Sequence, residues 1–378
     1  MSELITLFSP SLRGGGAERV MLNLAREFSK RKIQVDIVLA KAEGEYLIDV
    51  PSEVRVVDLD SKGVLACLPG LVRYLRKEKP HALLATQIHA NVIALLAKRI
   101  SGIATQLVIR EANILTSPSL TKQGIRERVI LFLARHCYQW ANGVVAVSQG
   151  VANSLSKTLG LPGERIEVIY NPVVRAELIE KTKAVVTHPW FVDGGLPVIL
   201  SVGRLSEQKD FPTLIRAFSL VQKQVPARLV ILGEGPKRAE LEALVRELEL
   251  DAEVSMPGFA ENPYAYMQRA RVYVLSSLWE GLPNTLIEAV ALGIPVVATD
   301  CESGPKEILA NGKYGRLSPV GDAQAISEGI LDVLQERDFP KPDINALKLF
   351  NLEASVDKYL QVLQYNRNNK SDLEQCST

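Results

Sequence analysis

Short runs rich in β-branched residues and leucine alternate with longer stretches of helical periodicity along nearly the whole chain of 378 residues. Runs at 4–9 (LITLFS), 34–40, 54–59, 82–86, 106–110, 143–148 and 166–170 predict seven strands, and those at 198–203, 227–233, 253–258, 271–277, 295–299 and 314–319 predict six more. Helical patterns fill the gaps. AERVMLNLAREFSKR (17–31) sets Val20, Leu24 and Phe28 on one face, and the stretch from Lys122 to Trp140 reads the same way. Strands that alternate with helices predict parallel sheets covered by helices on both faces. A polar segment with Pro and Gly, EKTKAVVTHPWFVDGGLP (180–197), separates the two series. The expected organisation is therefore α/β, with two doubly wound, Rossmann-like domains facing a central cleft. Their bounds are 1–172 and 197–350, joined by a linker at 173–196. Residues 351–378 supply a C-terminal helix, able to pack back on the first domain, and a polar tail. Sheets of this kind take ligands at the carboxyl ends of their strands.

Composition narrows the class. The most apolar stretches, VILFLA (129–134) and VALGIPVVA (290–298), fall far short of the ~20 residues that span a bilayer. The N-terminus carries Glu3 and reaches a glycine cluster before any long apolar core, so it does not read as a signal peptide and a cytoplasmic location is expected. Cys67, Cys137, Cys301 and Cys376 lie far apart, as in reduced proteins without a thiolate metal site. The net charge of +1 hides an uneven distribution: residues 1–190 hold 25 Lys and Arg against 17 Asp and Glu, and the remainder 19 against 26. Within 71–140 the ratio is 11 to 3. Such a patch suits anionic lipid or another polyanion, or is a set of solvated helix faces.

The most informative stretch is LWEGLPNTLIEAVALG (278–293), which runs from a predicted strand through a turn into a helix, with Pro283 and Asn284 at its start. Backbone N–H groups there lack intrahelical partners and suit phosphate oxygens. Glu280 lies just outside the turn and Glu288 about one helical turn inside. Carboxylates accept hydrogen bonds from sugar hydroxyls but repel phosphate, so they belong at the flanks of a ligand with an anionic middle. A nucleotide-sugar has that order. The plainer reading makes Glu280 a loop residue and Glu288 a complement to the helix dipole.

Residues 201–211, SVGRLSEQKDF, place Gly203, Arg204 and Lys209 just beyond a predicted strand, where two cations can neutralise a departing diphosphate. With GGGAERV (14–20), LVILGEGP (229–236), PGF (257–259), SLWEGLPNTLIEAVALGIPVVATD (277–300) and GPKEIL (304–309), the chain resembles a retaining glycosyltransferase of the family-4 type, with the GT-B fold, as in bacterial surface-polysaccharide synthesis. The motifs follow the family's order and match best in the second half. The resemblance implies that Glu280 contacts the donor sugar, Glu288 the ribose, and Arg204 and Lys209 the diphosphate. Backbone near Leu282, Pro283, Asn284 and Thr285 would assist, proline through its carbonyl alone. Gly233, Gly235 and Phe259 would border the nucleobase, and Gly15 and Gly16 would approach the phosphates from the opposite domain because they lack a Cβ.

His89, in TQIHANVIALLA, either caps a helix start or positions and deprotonates the acceptor hydroxyl, so that it joins Glu280, Arg204 and Lys209 as a catalytic candidate. VIREANI (108–114) carries Ala112 where many relatives have histidine, which leaves Glu111 and Asn113 as acceptor-side contacts. Neither the dinucleotide fingerprint nor the P-loop motif occurs. Asp58-Leu-Asp60 reads as a surface loop, and no essential metal or other cofactor is expected. The expected partners are a nucleotide-diphosphate-sugar donor and a lipid-linked saccharide acceptor; Arg126, Arg128 and Arg135 beside Ile125, Val129, Phe132 and Trp140 form either a face for an anionic membrane surface or, in their apolar members, part of the core; nucleic acid is not expected. A soluble acceptor, a nucleotide-sugar 2-epimerase and a non-catalytic nucleotide-sugar sensor are the alternatives.

Overall fold

The computed structural model describes residues 4–13, 15–116, 124–174, 177–191, 194–340, 342, 347 and 349–364. The polar tail and Cys376 lie outside them. The chain forms two compact units, one holding the residues up to Pro172 together with those from Leu352, the other Val173–Asn351.

The first unit is built on β1 (Ile5–Ser9), β2 (Val35–Leu39), β3 (Arg55–Asp58), β4 (Ala82–Thr86), β5 (Gln106–Glu111), β6 (Gly143–Ala146) and β7 (Ile166–Val168). They form one parallel sheet in the order β3-β2-β1-β4-β5-β6-β7. Every residue of β1, β2 and β4 is buried, which explains why these strands read as continuous apolar runs rather than alternating ones. Crossovers from β3 onward bring the helices Leu68–Glu78, Ile88–Ser101, Ile125–Cys137 and Gln149–Leu159 together, where each packs on the next. The helices Gly16–Lys30 and Leu352–Val362 meet each other over a shared core. Expected over 122–140, the third of the four begins at Ile125 among the described residues and closes in a 3-10 turn, Tyr138–Trp140.

The second unit repeats the plan with β8 (Val198–Val202), β9 (Arg228–Leu232), β10 (Val254–Gly258), β11 (Val272–Leu275), β12 (Val296–Thr299) and β13 (Arg316–Ser318), ordered β10-β9-β8-β11-β12-β13 and parallel throughout. In each sheet the order reverses at its first strand, next to β4 in one and β11 in the other. Ligands of open α/β sheets bind at the carboxyl ends of the strands flanking such a reversal.

The segment expected as a linker differs from that expectation. Residues Glu177–Thr182 form a helix that packs on Pro263–Arg269. Asn262 Nδ2 donates to the Lys181 carbonyl at 2.8 Å and Arg269 Nη1 to that of Thr182 at 3.3 Å. Farther on, His188 Nε2 lies 3.0 Å from Ser255 Oγ. Six residues are too few for helical periodicity to register, so the polar composition hid a docked element.

Candidate active site

The C-terminal unit gathers its candidate residues at the carboxyl ends of β8 and β11. After β8 come Gly203 and the exposed Arg204, then a 3-10 turn Glu207–Lys209 and Asp210 in a left-handed conformation, before the helix Phe211–Gln222 begins. The aliphatic stem of Lys209 lies across Gly203: a Cβ there would stand 3.1 Å from Lys209 Cε. Gly203 thus makes room for the lysine. Gly233, in the loop after β9, has φ +141° and would drive a Cβ to 2.0 Å from the Gly203 carbonyl oxygen; one at Gly235 would fall 2.3 Å from that of Leu205. These two glycines, expected beside a nucleobase, are required at their positions because two loop backbones touch. Phe259, just past β10, is exposed and keeps its ring available.

Lys209 and Glu280 form one ion pair. Glu280 is 6% exposed; its Oε1 accepts from Lys209 Nζ at 2.5 Å and from Ser277 Oγ at 2.7 Å, and its Oε2 from Gln208 Nε2 at 3.4 Å. The loop that carries it is tied down at several points. Ser276 Oγ donates to the Lys209 carbonyl at 2.7 Å, the Leu278 amide to that of Gln208 at 2.8 Å, and Gln208 Nε2 to that of Trp279 at 2.9 Å. Gln208 and the two serines escaped the sequence reading because no charge pattern marks them. Only their contacts reveal that they orient Glu280.

Pro283 caps the helix Asn284–Ala291, with Leu286 N bonding to its carbonyl at 3.1 Å. Gly304, at φ +93°, abuts it: a Cβ would lie 2.5 Å from Pro283 Cδ. Thr285 Oγ1 accepts from Tyr273 OH at 2.7 Å, and burial pushes the Tyr273 phenol well above its ordinary value. Glu288 lies one turn in, 1% exposed, and accepts from Tyr264 OH at 3.0 Å. Tyr264 was not foreseen. Its motif, NPYAYM, signals a helix start and nothing chemical.

In the N-terminal unit, Gly15 precedes and Gly16 opens the helix that follows β1. A Cβ at Gly15 would strike Glu18 Oε2 at 2.2 Å, and Glu18 Oε1 accepts from Gln87 Nε2 at 3.0 Å. Gln87, at φ +75°, ends the loop after β4 and leads into Ile88 and His89. The loops on either side of the order reversal are thereby joined through Glu18, an acid legible in advance only as a dipole-compensating first-turn residue. His89 is half-buried. Desolvation, then the charge of Arg126, lowers its pKa against an opposing pull from Glu127, which keeps the imidazole neutral and able to accept a proton at neutral pH.

Glu111 departs from the acceptor-side role expected of it. It is buried at the end of β5, hydrogen-bonded by Tyr138 OH and, at 2.8 Å, by Asn91 Nδ2. Desolvation lifts its pKa from 4.5 to about 7. A carboxyl whose folded pKa is raised binds more protons folded than unfolded between those values, so stability falls as pH rises through that window. Glu111→Gln should remove this slope, on the order of 1 kcal/mol per pH unit, in urea melts taken from pH 4.5 to 7. Asn113, by contrast, is half-buried and its Oδ1 takes the Ile114 amide at 2.9 Å. Asp58 Oδ1 accepts from the amides of Ala42 and Asp60 at 3.0 and 2.8 Å, so this motif builds a turn.

Comparison with known proteins bears on this geometry. The family model described as Glycosyl transferases group 1 matches residues 188–346, and that described as Glycosyltransferase Family 4 matches residues 14–177. The chain is 31% identical over 356 residues, 90% of its length and 93% of the relative's, to the N-acetylgalactosamine-N,N'-diacetylbacillosaminyl-diphospho-undecaprenol 4-alpha-N-acetylgalactosaminyltransferase of Campylobacter jejuni. It is 26% identical, over 93% of its length and 96% of the relative's, to the lipopolysaccharide core biosynthesis glycosyltransferase LpsE of Rhizobium meliloti. Among solved structures, sucrose-phosphate synthase from Thermosynechococcus elongatus superposes with a TM-score of 0.80 at 19% identity, covering 96% of this chain and 98% of that one. Anabaena HepE in complex with UDP and glucose superposes at 0.78 and 22%, covering 96% and 99%. Two parallel-sheet α/β units of this order are the GT-B fold, and the chain belongs to the family-4 glycosyltransferases, a transferase enzyme.

Proposed function

We propose that this enzyme is a retaining glycosyltransferase that moves a hexosyl or N-acetylhexosaminyl unit from a nucleotide-diphosphate-sugar to a hydroxyl of a lipid-linked saccharide. It would work in surface-polysaccharide assembly, peripherally on the cytoplasmic face of the membrane and without an essential metal. The Lys209–Glu280 ion pair, at the carboxyl ends of β8 and β11, carries this reading, with the exposed Arg204 in the same loop after β8 as Lys209. It joins cations for a diphosphate to a carboxylate for sugar hydroxyls where sheets of this order take ligands. The named acceptor of the Campylobacter relative, a diphospho-undecaprenol saccharide, and the UDP and glucose in the Anabaena structure support the two substrate classes. Among the described residues no helix is long and apolar enough to cross a membrane, which accords with peripheral action.

In this reaction the anomeric C–O bond breaks with its electron pair leaving on the nucleoside diphosphate. Arg204, Lys209 and the backbone amides at the start of the helix Asn284–Ala291 meet that charge. The acceptor oxygen bonds the anomeric carbon on the face the leaving group vacates. Its proton passes to an oxygen of the departing phosphate.

A panel of radiolabelled nucleotide-sugars, with and without bacterial lipid extract, tests the proposal. Label should enter the organic phase only with lipid present and should do so equally in EDTA, and proton NMR of the product should show the donor's anomeric configuration. Donor conversion without lipid would point to an epimerase. Binding without turnover would point to a sensor, and transfer confined to water-soluble saccharides would remove the lipid-linked acceptor.

A further inference from the structure

Helices packed on a sheet ordinarily turn charged and polar residues to solvent, and Ile125–Cys137 exposes a line of large apolar residues among its charged ones. Its inward face is Ile130, Ala134 and Cys137, all buried. On the opposite side stand Ile125, Val129 and Phe132, 81%, 49% and 63% exposed. At about 100° per residue these three fall at i, i+4 and i+7, one line running down the outside of the helix. The His136 ring, one turn beyond, lies 4.4 Å from that of Phe132. Arg126, Arg128 and Arg135 are exposed alongside, and Glu127 is the helix's sole acid.

Cations continue across the neighbouring helices. Arg73, Arg76 and Lys77 are exposed at i, i+3 and i+4 on Leu68–Glu78. Below the apolar line, Trp140 is partly exposed with the Arg99 guanidinium 5.5 Å from its ring. We propose that the outward line Ile125, Val129 and Phe132, framed by these cations, docks the enzyme on an anionic phospholipid bilayer. This inference rests on the membrane-borne acceptor proposed above.

Charge selects the occupant. The exposed Arg73, Arg76, Lys77, Arg126, Arg128 and Arg135 stand against Glu127 as the one acid of the docking helix, so a second copy meeting it through the same face would oppose like to like, whereas anionic headgroups complement it. Apolar side chains flanked by long cationic ones match the interface of a bilayer, where stems lie among acyl chains and charged ends reach the phosphates. The first turn of the helix is also the one whose charges, Arg126 and Glu127, act on His89. A bilayer docked there holds its lipid-borne saccharides on the side of the fold where His89 stands.

Flotation with vesicles of phosphatidylcholine, alone or mixed with phosphatidylglycerol, tests the docking without any turnover. The enzyme should bind the anionic vesicles at low salt, bind the neutral ones weakly, and be released as salt rises. The variant I125S/V129S/F132S keeps every charge and should lose binding at least about tenfold. R128Q/R135Q should also weaken it and flatten its salt dependence. Because all five side chains face outward, melting temperatures and donor-induced thermal shifts should stay at the wild-type value. Lack of wild-type binding to anionic vesicles at low salt, or a triple-serine variant that binds like wild type, overturns the inference. So does a wild-type dimer in sedimentation velocity that the triple variant dissolves. Failure of the donor shift in the wild type would instead count against the proposed reaction, leaving the vesicle result to be read alone.

Discussion

Lys209→Ala is expected to lower turnover at least ~100-fold at saturating donor, and Arg204→Ala to do the same, since each charge-stabilising donor at a developing anion contributes about 3 kcal/mol to the barrier. The two variants probe different environments. Arg204 is exposed, so its loss removes a positive charge and little else. Lys209 is the ion-pair partner of a carboxylate whose side chain is 7% exposed, and its loss also releases Glu280. That carboxylate keeps Ser277 and Gln208 as donors, so the unit should stay folded while the acid drifts from its fixed orientation. Lys209→Ala should therefore raise the apparent KM for the donor sugar as well as lower kcat. Arg204→Ala should act chiefly on kcat. Steady-state kinetics beside a thermal melt decide it: near-normal turnover in either folded variant would remove the diphosphate assignment.

Arg110→Ala should destabilise the N-terminal unit by roughly 3 kcal/mol or more. Arg110 is fully buried in β5, and its guanidinium donates to Tyr359 OH at 3.0 Å, Thr86 Oγ1 at 2.9 Å and Asn171 Oδ1 at 2.6 Å. Truncation leaves these oxygens short of partners in a site that water does not reach, and opens a cavity beside them. Tyr359 belongs to the helix Leu352–Val362, so amide exchange in that helix should accelerate more than in the rest of the unit. Urea unfolding gives the magnitude. A loss below about 1 kcal/mol would mean that the network contributes no more than an ordinary hydrogen bond.

Neighbours in sequence, Arg110 and Glu111 show how far one strand can be read. Alternation along β5 sends them to opposite faces, one to Tyr359 and the other to Tyr138 and Asn91. The motif VIREANI offered Glu111, with Asn113, as an acceptor-side contact and gave Arg110 no role. Burial was invisible in it, because charged residues at a strand's carboxyl end are as common in pockets as in cores. The Gly-Glu-Gly after β9 is a similar case: two glycines signal close approach, yet the approaching group is the loop after β8.

The thirteen strands, their parallel pairing and the placing of Arg204, Lys209, Glu280 and Glu288 beyond strand ends were legible in the linear order of residues. Periodicity and turn chemistry are local, and a strand-loop-helix motif carries its site with it. Folding alone decided that Lys209 and Glu280 join in one ion pair, that Glu111 is buried, that a quarter of the expected linker is a docked helix, and that Ile125, Val129 and Phe132 face outward. Each depends on contacts between residues remote in sequence or on which side of a helix meets the sheet. An apolar residue at helical spacing reads alike whether it is packed or exposed.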